Sequence, residues 1–262
     1  MLTDSAQQAR HIQTMEPVIG ICIPGSVNQS WTGISFLAED WNSVDEEYLE
    51  LAWCRWHHMP RTLLNSDNIK NESKSSNIKW KIREAAIKDA SLFLDLYEDE
   101  QVKKFLEYPL SEETKCIEDW KAWIESLHRY IYPSEEPAMW VLAGENDEML
   151  GRIGLEYRDE NGFPAGYYLG YALLPKWRKK GLAAKAASQL VEYCMEYWQL
   201  EQIYLLCSSE NIASIKTAID AGFKLTDFPN ASLYTKDIIE HRLNLSACVG
   251  TGKLLLFTRE TL

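Results

Sequence analysis

None of the six cysteines (22, 54, 116, 194, 207 and 248) stands in a C-x-x-C pair, and no apolar run approaches the ~18–20 residues of a bilayer span. The opening MLTDSAQQARHIQ also lacks the apolar core of a signal peptide. The expectation is a cytoplasmic protein in a reducing setting, its thiols free and acting as small buried hydrophobes. Cationic residues are short as well: 27 Lys+Arg against 39 Asp+Glu leave a formal net charge of -12. The deficit is not local, because residues 1–78 hold 5 Lys/Arg against 10 Asp/Glu and the remainder 22 against 29. A surface acidic throughout repels a nucleic-acid backbone and tolerates cationic amines, so neither nucleic acid nor a membrane is expected as a partner. Metal is not expected either. Cys54-x-x-His57-His58 has no further Cys or His at a spacing that would complete a zinc site.

With 262 residues, 46% hydrophobic and 25% charged, the chain has the composition of an ordinary globular protein: one large domain, or one domain and an extension. One basic turn stands out from the acidic background, within residues 168–187, YLGYALLPKWRKKGLAAKAA. Leu169, Tyr171, Leu173 and Leu174 suit a buried strand that Pro175 ends. Arg178, Lys179, Lys180 and Gly181 follow, then an Ala- and Leu-rich run without Pro or Gly that predicts a helix over 181–198. Gly181 lets the backbone approach a ligand closely, and the first N–H groups of the helix have no partners within it. Those donors, the positive helix end and three cationic side chains make an anion site suited to a phosphate or pyrophosphate.

Residues 1–64 read as a small α+β extension, with short strands in 17–24 and 31–38 and a helix over roughly 44–58 opened by a capping-box-like Ser43-Val-Asp-Glu46. That helix is apolar on two sides, with Tyr48, Leu51 and Ala52 on one and Leu49, Trp53 and Trp56 on another. It needs two partners, the main domain or another chain, so homodimerisation or partner docking is the role left open for the extension. Residues 65–78 form a polar linker. Beyond it, strands are expected at 79–83, 138–143, 150–157, 166–173, 202–207, 223–226 and 253–259. Helical pieces are expected at 87–97, 102–107, 112–130, 181–198 and 211–221. Residues 229–252 are long for a connection, and are either functional or partly helical.

Arg178-Lys179-Lys180-Gly181-Leu182-Ala183 fits the pattern Arg/Gln-x-x-Gly-x-Gly/Ala, and Asn211-Ile-Ala-Ser214 followed by Ala221-Gly222-Phe223 fits Asn-x-x-Ser…Gly-Phe. In these two blocks, taken in this order, residues 79–262 resemble the GNAT (Gcn5-related) N-acetyltransferases. Gly170-Tyr171 resembles the branch that includes the ribosomal-protein alanine acetyltransferases RimJ and RimL. The resemblance implies an α/β fold, a mixed and mostly antiparallel central sheet flanked by helices, with the acetyltransferase domain over 79–262. It implies acetyl-CoA as acyl donor, its pantetheine lying where the central strand splays from the next and pairing with backbone around Leu173 and Leu174. The pyrophosphate would rest on Arg178, Lys179, Lys180, Gly181, Leu182 and Ala183, and Asn211 would reach the pantetheine arm or a water near it. The helices before residue 130 would close over the acceptor.

Acetyl transfer needs the thioester held beside the amine, a deprotonated amine, donors for the oxyanion, and a proton or positive surroundings for the departing thiolate. Many members of the family carry a Tyr seven residues after the Asn as that proton donor, where this chain has Ala218. Ser214, Thr217 or a water are the substitutes in reach. The central strand has no acid, so Glu156 on the preceding strand is the candidate base, unless it is merely an exposed strand-end carboxylate. Asn211 reads equally well as a helix N-cap. Tyr168 and Tyr171 either line the acceptor site or simply pack. Cys207 would lie near the thioester, but a small buried residue accounts for it, and direct attack by the amine is expected. The implied activity is an acetyl-CoA-dependent N-acetyltransferase acting on a primary amine, a protein N-terminus or a small cationic amine. The alternative is a non-catalytic acyl-CoA-binding module whose extension docks a partner. A third reading makes residues 1–64 the remainder of a fused activity.

Overall fold

The computed structural model describes residues 1–16, 18–21, 30, 34–57, 59–66, 78–105, 115–134, 136–159, 163–226 and 254–261. The expectations for most of the 65–78 linker, for 229–252 and for His58 lie outside the described residues. The chain divides into two compact units, Met1–Arg61 and Thr62–Leu262.

In the first unit, strands Leu2–Thr3 (β1), Ile19–Ile21 (β2) and Phe36–Ala38 (β3) form a parallel sheet in that order, accompanied by helices Ala6–Ile12 (α1) and Glu46–Trp56 (α2). Asp45, not Ser43, caps α2: its carboxylate accepts the Tyr48 N–H at 2.8 Å. Ser43 instead donates its N–H to Asp40, at 2.9 Å. Ala52 and Cys54 of α2 are buried, the former against Ile19, Ile21 and Ala38, while Leu49 and Trp53 are exposed.

The second unit is built on strands Thr62–Asn65 (β4), Trp80–Arg83 (β5), Met139–Gly144 (β6), Met149–Arg158 (β7), Gly166–Leu173 (β8), Gln202–Ser208 (β9), Lys224–Thr226 (β10) and Leu254–Glu260 (β11). Among the described residues they form one sheet ordered β10-β11-β9-β8-β7-β6-β5-β4. Every neighbouring pair is antiparallel except β8–β9. The unit boundary expected at 64 falls at 61, because β4 pairs with β5 (Leu64↔Ile82, Asn65↔Lys81) and turns Leu63 and Leu64 onto the core of the large sheet.

Helices Ala90–Glu98 (α3), Glu100–Lys103 (α4), Ile117–Ser126 (α5), Leu182–Tyr197 (α6) and Ile212–Asp220 (α7) complete the unit. The small residues Ala184, Ala186 and Ala187 let α6 lie close to the sheet, and Leu182, Leu190, Val191 and Cys194 are buried with them. Each large aliphatic chain buried in this way contributes about 1.5–3 kcal/mol. Near β5, the buried Arg83 forms a bidentate pair with Asp89 (2.7 and 3.0 Å) and a further bond to Asp147 (2.8 Å) in the β6–β7 turn. Burial works to raise the Asp147 carboxyl, but hydrogen bonds from Lys81 and Lys88 and the Arg83 charge hold it well below the usual carboxylate range.

The irregularity that matters for function is at β8. Its ladder with β7 is complete from Gly151↔Leu173 to Arg158↔Gly166, whereas β9 pairs with it only at Tyr167↔Ile203 and Tyr168↔Tyr204. Beyond Tyr168 the two strands part.

Candidate active site

The gap between β8 and β9 opens into a cavity of about 1850 Å³ lined by Leu169, Tyr171, Leu173, Leu206 and Asn211 among others. The Leu174 N–H donates to Leu150 O at 2.9 Å, which fixes the phase of the β7–β8 ladder. Residues that exchange hydrogen bonds across an antiparallel pair alternate with residues that do not. Tyr168, Gly170 and Ala172 therefore aim their backbone groups at β7, and Leu169, Tyr171 and Leu173 aim theirs into the gap. Of the two residues expected to meet pantetheine, Leu173 turns its N–H into the gap. Leu174 is engaged on both sides, since its C=O also accepts from Trp177 N–H at 2.9 Å.

At the far end of β8, Pro175–Trp177 make a turn of 3-10 helix and Gly181 begins α6 with φ +70°. That left-handed conformation costs glycine nothing and an L-residue about 1–2 kcal/mol. No side chain caps α6, and the first bond inside the helix is Lys185 N–H to Gly181 O at 3.2 Å. The N–H groups of Leu182, Ala183 and Ala184 are therefore left over, and all three residues line the cavity. An added Cβ at Gly181 would meet nothing within 4 Å, so a ligand can come directly onto this corner.

The three cations divide. Lys179 lines the cavity beside Gly181. Lys180 holds its ammonium over the Trp177 ring, 4.6 Å from the centroid, and does not line the cavity. Arg178 is engaged: its Nε donates to Leu173 O at 2.9 Å and its Nη2 to Asp99 Oδ1 at 2.6 Å. Asp99 also caps α4, so one carboxylate joins α4 to the basic turn. Burial acts to raise the Asp99 carboxyl, yet the Arg178 bond and the cap bonds hold it below its ordinary value.

Asn211 is the N-cap of α7, its Oδ1 accepting from Ser214 N–H at 3.1 Å, and it lines the cavity as well. Ala218 is fully buried. What stands near the position of the missing tyrosine is Tyr171 of β8. Its hydroxyl lies 2.9 Å from Ser214 Oγ and donates to Ser214 O at 3.2 Å, with the Thr217 hydroxyl also bonded to it. Burial pushes the Tyr171 phenol up to about 12, against the opposing effect of the Ser214 and Thr217 hydrogen bonds. The shift favours the protonated phenol, which suits it to donate a proton or hydrogen bond. Cys207 is buried, paired with Leu255 on β11, and does not line the cavity.

The other half of the cavity is aromatic. Tyr97 stacks on Trp120 (4.9 Å), and Trp120 meets Trp123 edge-on (5.3 Å). Glu156 lines this half, opposite Tyr168 in the ladder and 3.1 Å from Arg158 Nη2, with 60% of its side chain exposed. Two cavity residues were not singled out from the sequence as chemical groups. Tyr171 was weighed only as a lining residue. Arg152 has no role in that reading; it is the lone charge of MLGRIGL, residues 149–155, and that isolation is the signal that marks it.

A profile described as acetyltransferase (GNAT) domain matches residues 80–224, more than half of the chain. An uncharacterized N-acetyltransferase, YnaD of Bacillus subtilis (strain 168), is 26% identical over 148 residues, covering 56% of this chain and 80% of that protein. Among solved structures, a ribosomal-protein-S5-alanine acetyltransferase from Vibrio fischeri aligns with TM-score 0.54 at 14% identity, over 74% of this chain and 97% of that one. Mycobacterium smegmatis RimJ, in complex with CoA-disulfide, aligns with TM-score 0.53 at 15% identity, over 70% and 82%. At such identities the structural likeness speaks for the fold, and the profile match carries the family. With its parted strands, uncapped helix start and matched profile, this chain belongs to the GNAT family of N-acetyltransferases.

Proposed function

We propose that this protein transfers an acetyl group from acetyl-CoA to a primary amine, a protein N-terminus or a small amine, by direct attack. The observation that carries the reading is the gap beyond Tyr168, which leads from unpaired strand backbone to the uncapped start of α6 within one cavity. The residues present fit the cofactor. The N–H groups of Leu182, Ala183 and Ala184, with Gly181 giving access and Lys179 adding charge, would hold a pyrophosphate. Lys180 would contribute at longer range. Arg178 would act mainly by fixing the turn, since its guanidinium already serves Leu173 and Asp99. The Leu169 C=O, both backbone groups of Tyr171 and the Leu173 N–H would pair with pantetheine amides, with Leu174 serving only as the end of the strand and Asn211 offering its side-chain amide.

Acetyl-CoA supplies the activated acyl group, and the protein's part is positioning and proton handling. Tyr171, held by Ser214 and Thr217, would turn its O–H from Ser214 O to the departing sulfur. Glu156, partly solvated at the cavity edge, would accept the proton of the arriving ammonium directly or through water. A second reading, a non-catalytic acyl-CoA-binding module, draws on the buried Ala218. The Tyr171 hydroxyl beside Ser214 weighs against it, because it returns a donor to the site. A cytoplasmic setting is part of this proposal, as is docking of a partner or second copy by the first unit. The test is thiol release from acetyl-CoA with a panel of amines. Release that depends on the amine supports transfer, and tight CoA binding without release across the panel supports the binding module.

A further inference from the structure

Arg152 stands apart from the other partly or fully buried guanidiniums described in the second unit, Arg129 being exposed. Arg83 is paired with Asp89 and Asp147, Arg158 with Glu156, Arg178 with Asp99 and Arg259 with Glu192. Arg152 has no carboxylate within 4.0 Å among the described residues. Its Nε is buried without any hydrogen-bond partner, and its Nη1 reaches only the Met139 thioether, at 3.2 Å. A thioether is a weak acceptor, and the guanidinium cannot shed its proton. The Tyr97 ring, 5.2 Å from Cζ, compensates the cation in part. A guanidinium partly withdrawn from water, with no counter-charge beside it, favours an anion that the protein itself does not provide.

The surroundings leave room for one. Arg152 faces Ala172 in the ladder and Gly154 faces Gly170, which puts 152, 154, 170 and 172 on one face of the sheet. On the β8 side of the guanidinium that face carries only the Ala172 methyl and the bare Gly170. An added Cβ at Gly170 would meet only Arg152 Nη1, at 3.8 Å. Gly170 directly precedes Tyr171 on the strand that edges the gap, so this bare floor flanks the gap on the face opposite the Tyr171 ring. Glu156 continues the same face, opposite Tyr168 in the ladder.

We infer that the acceptor is an amine that also bears a carboxylate, the carboxylate bound by Arg152 over the Gly170 floor and the ammonium drawn to the Glu156 side. This deepens the acetyl-transfer reading and rests on it for the reaction, though not for binding. The partner is a zwitterion, either a free amino acid or a peptide that begins with an acidic residue.

Thiol release is measured with glycine, L-aspartate, L-glutamate and γ-aminobutyrate, each beside its carboxamide, and with carboxy-amidated Asp-Ala-Ala beside Asn-Ala-Ala. In at least one pair the carboxylate is expected to lead by about ten- to hundredfold in kcat/KM, the worth of a charge-assisted bond. Which pair leads identifies the source. Arg152→Met is expected to bring that ratio close to one, while Arg152→Lys retains part of it. Calorimetric titration of the same probes into the CoA-loaded protein reads the preference without turnover. Carboxylate-selective binding that Arg152→Met abolishes, in a protein that transfers nothing, would defeat the acetyl-transfer reading and leave the Arg152 assignment standing. Equal performance or equal failure of carboxylates and carboxamides overturns the assignment, as does an Arg152→Met variant that weakens both alike.

Discussion

Substitution of Gly181 separates two costs that the structure predicts to be independent. At φ +70° an alanine pays about 1–2 kcal/mol for the left-handed backbone, whereas asparagine tolerates that region better. No packing cost is added, because a Cβ there meets nothing within 4 Å. In a domain of this size 1 kcal/mol corresponds to about 2–4 °C, so Gly181→Ala should melt a few degrees low and Gly181→Asn closer to the native protein. Both place new atoms in front of the Leu182–Ala184 amides. Loss of one charge-assisted hydrogen bond there is worth about 1.5–3 kcal/mol, or roughly ten- to hundredfold in the Kd for CoA. Calorimetry with CoA and a thermal melt of each variant measure the two effects. Native affinity in both variants would refute the phosphate corner, and a loss in the alanine variant alone would trace it to backbone strain.

Tyr171→Phe removes the phenolic donor while keeping the ring; kcat should fall by about tenfold or more with CoA affinity little changed, and an acyl donor with a more acidic thiol should narrow the deficit. An unchanged kcat rules Tyr171 out of the proton path. Glu156→Gln should lower turnover chiefly at low pH, where a base is most needed, and a pH–rate profile identical to the native one removes Glu156 from the mechanism. Asp147 has its folded-state pKa depressed, so the stability it contributes is present above the unfolded carboxylate value of about 4 and is lost as pH falls below it. Asp147→Asn should therefore melt lower at neutral pH and lose less on acidification; melting curves that fall in parallel from pH 6 to pH 3 would contradict this.

Local pattern carried much of the fold. The run 181–198 folds as Leu182–Tyr197, the strand expected at 166–173 is Gly166–Leu173, and 211–221 is Ile212–Asp220 with Asn211 and Ala221 as its caps. These segments hold their signal within themselves: alternation, helix-forming composition, and glycine where the backbone turns left-handed. β4 was hidden because Thr62–Asn65 has too few residues to show a period, and its state is decided by β5. The same limit applied to the site. The basic turn was legible as an anion corner, but nothing local tells Arg178 that Asp99, 79 positions away, will claim its guanidinium. Nor could spacing show that Tyr171 crosses the gap to Ser214, 43 positions on, and so restores a hydroxyl where Ala218 had removed one. Identity of side chains is written in sequence, whereas the choice among competing partners is made by tertiary packing.

The early separation of β8 from β9 gives this protein a sheet margin in its interior. Margins at a rim are hazards, since any extended polypeptide can add to them. Here the slot is closed at Tyr168, with Leu206 and Ser214 among the residues around it. An added polypeptide strand carries side chains on alternate faces every ~3.3 Å, so it asks for more room in such a wedge than an unbranched chain whose amides are its only polar groups.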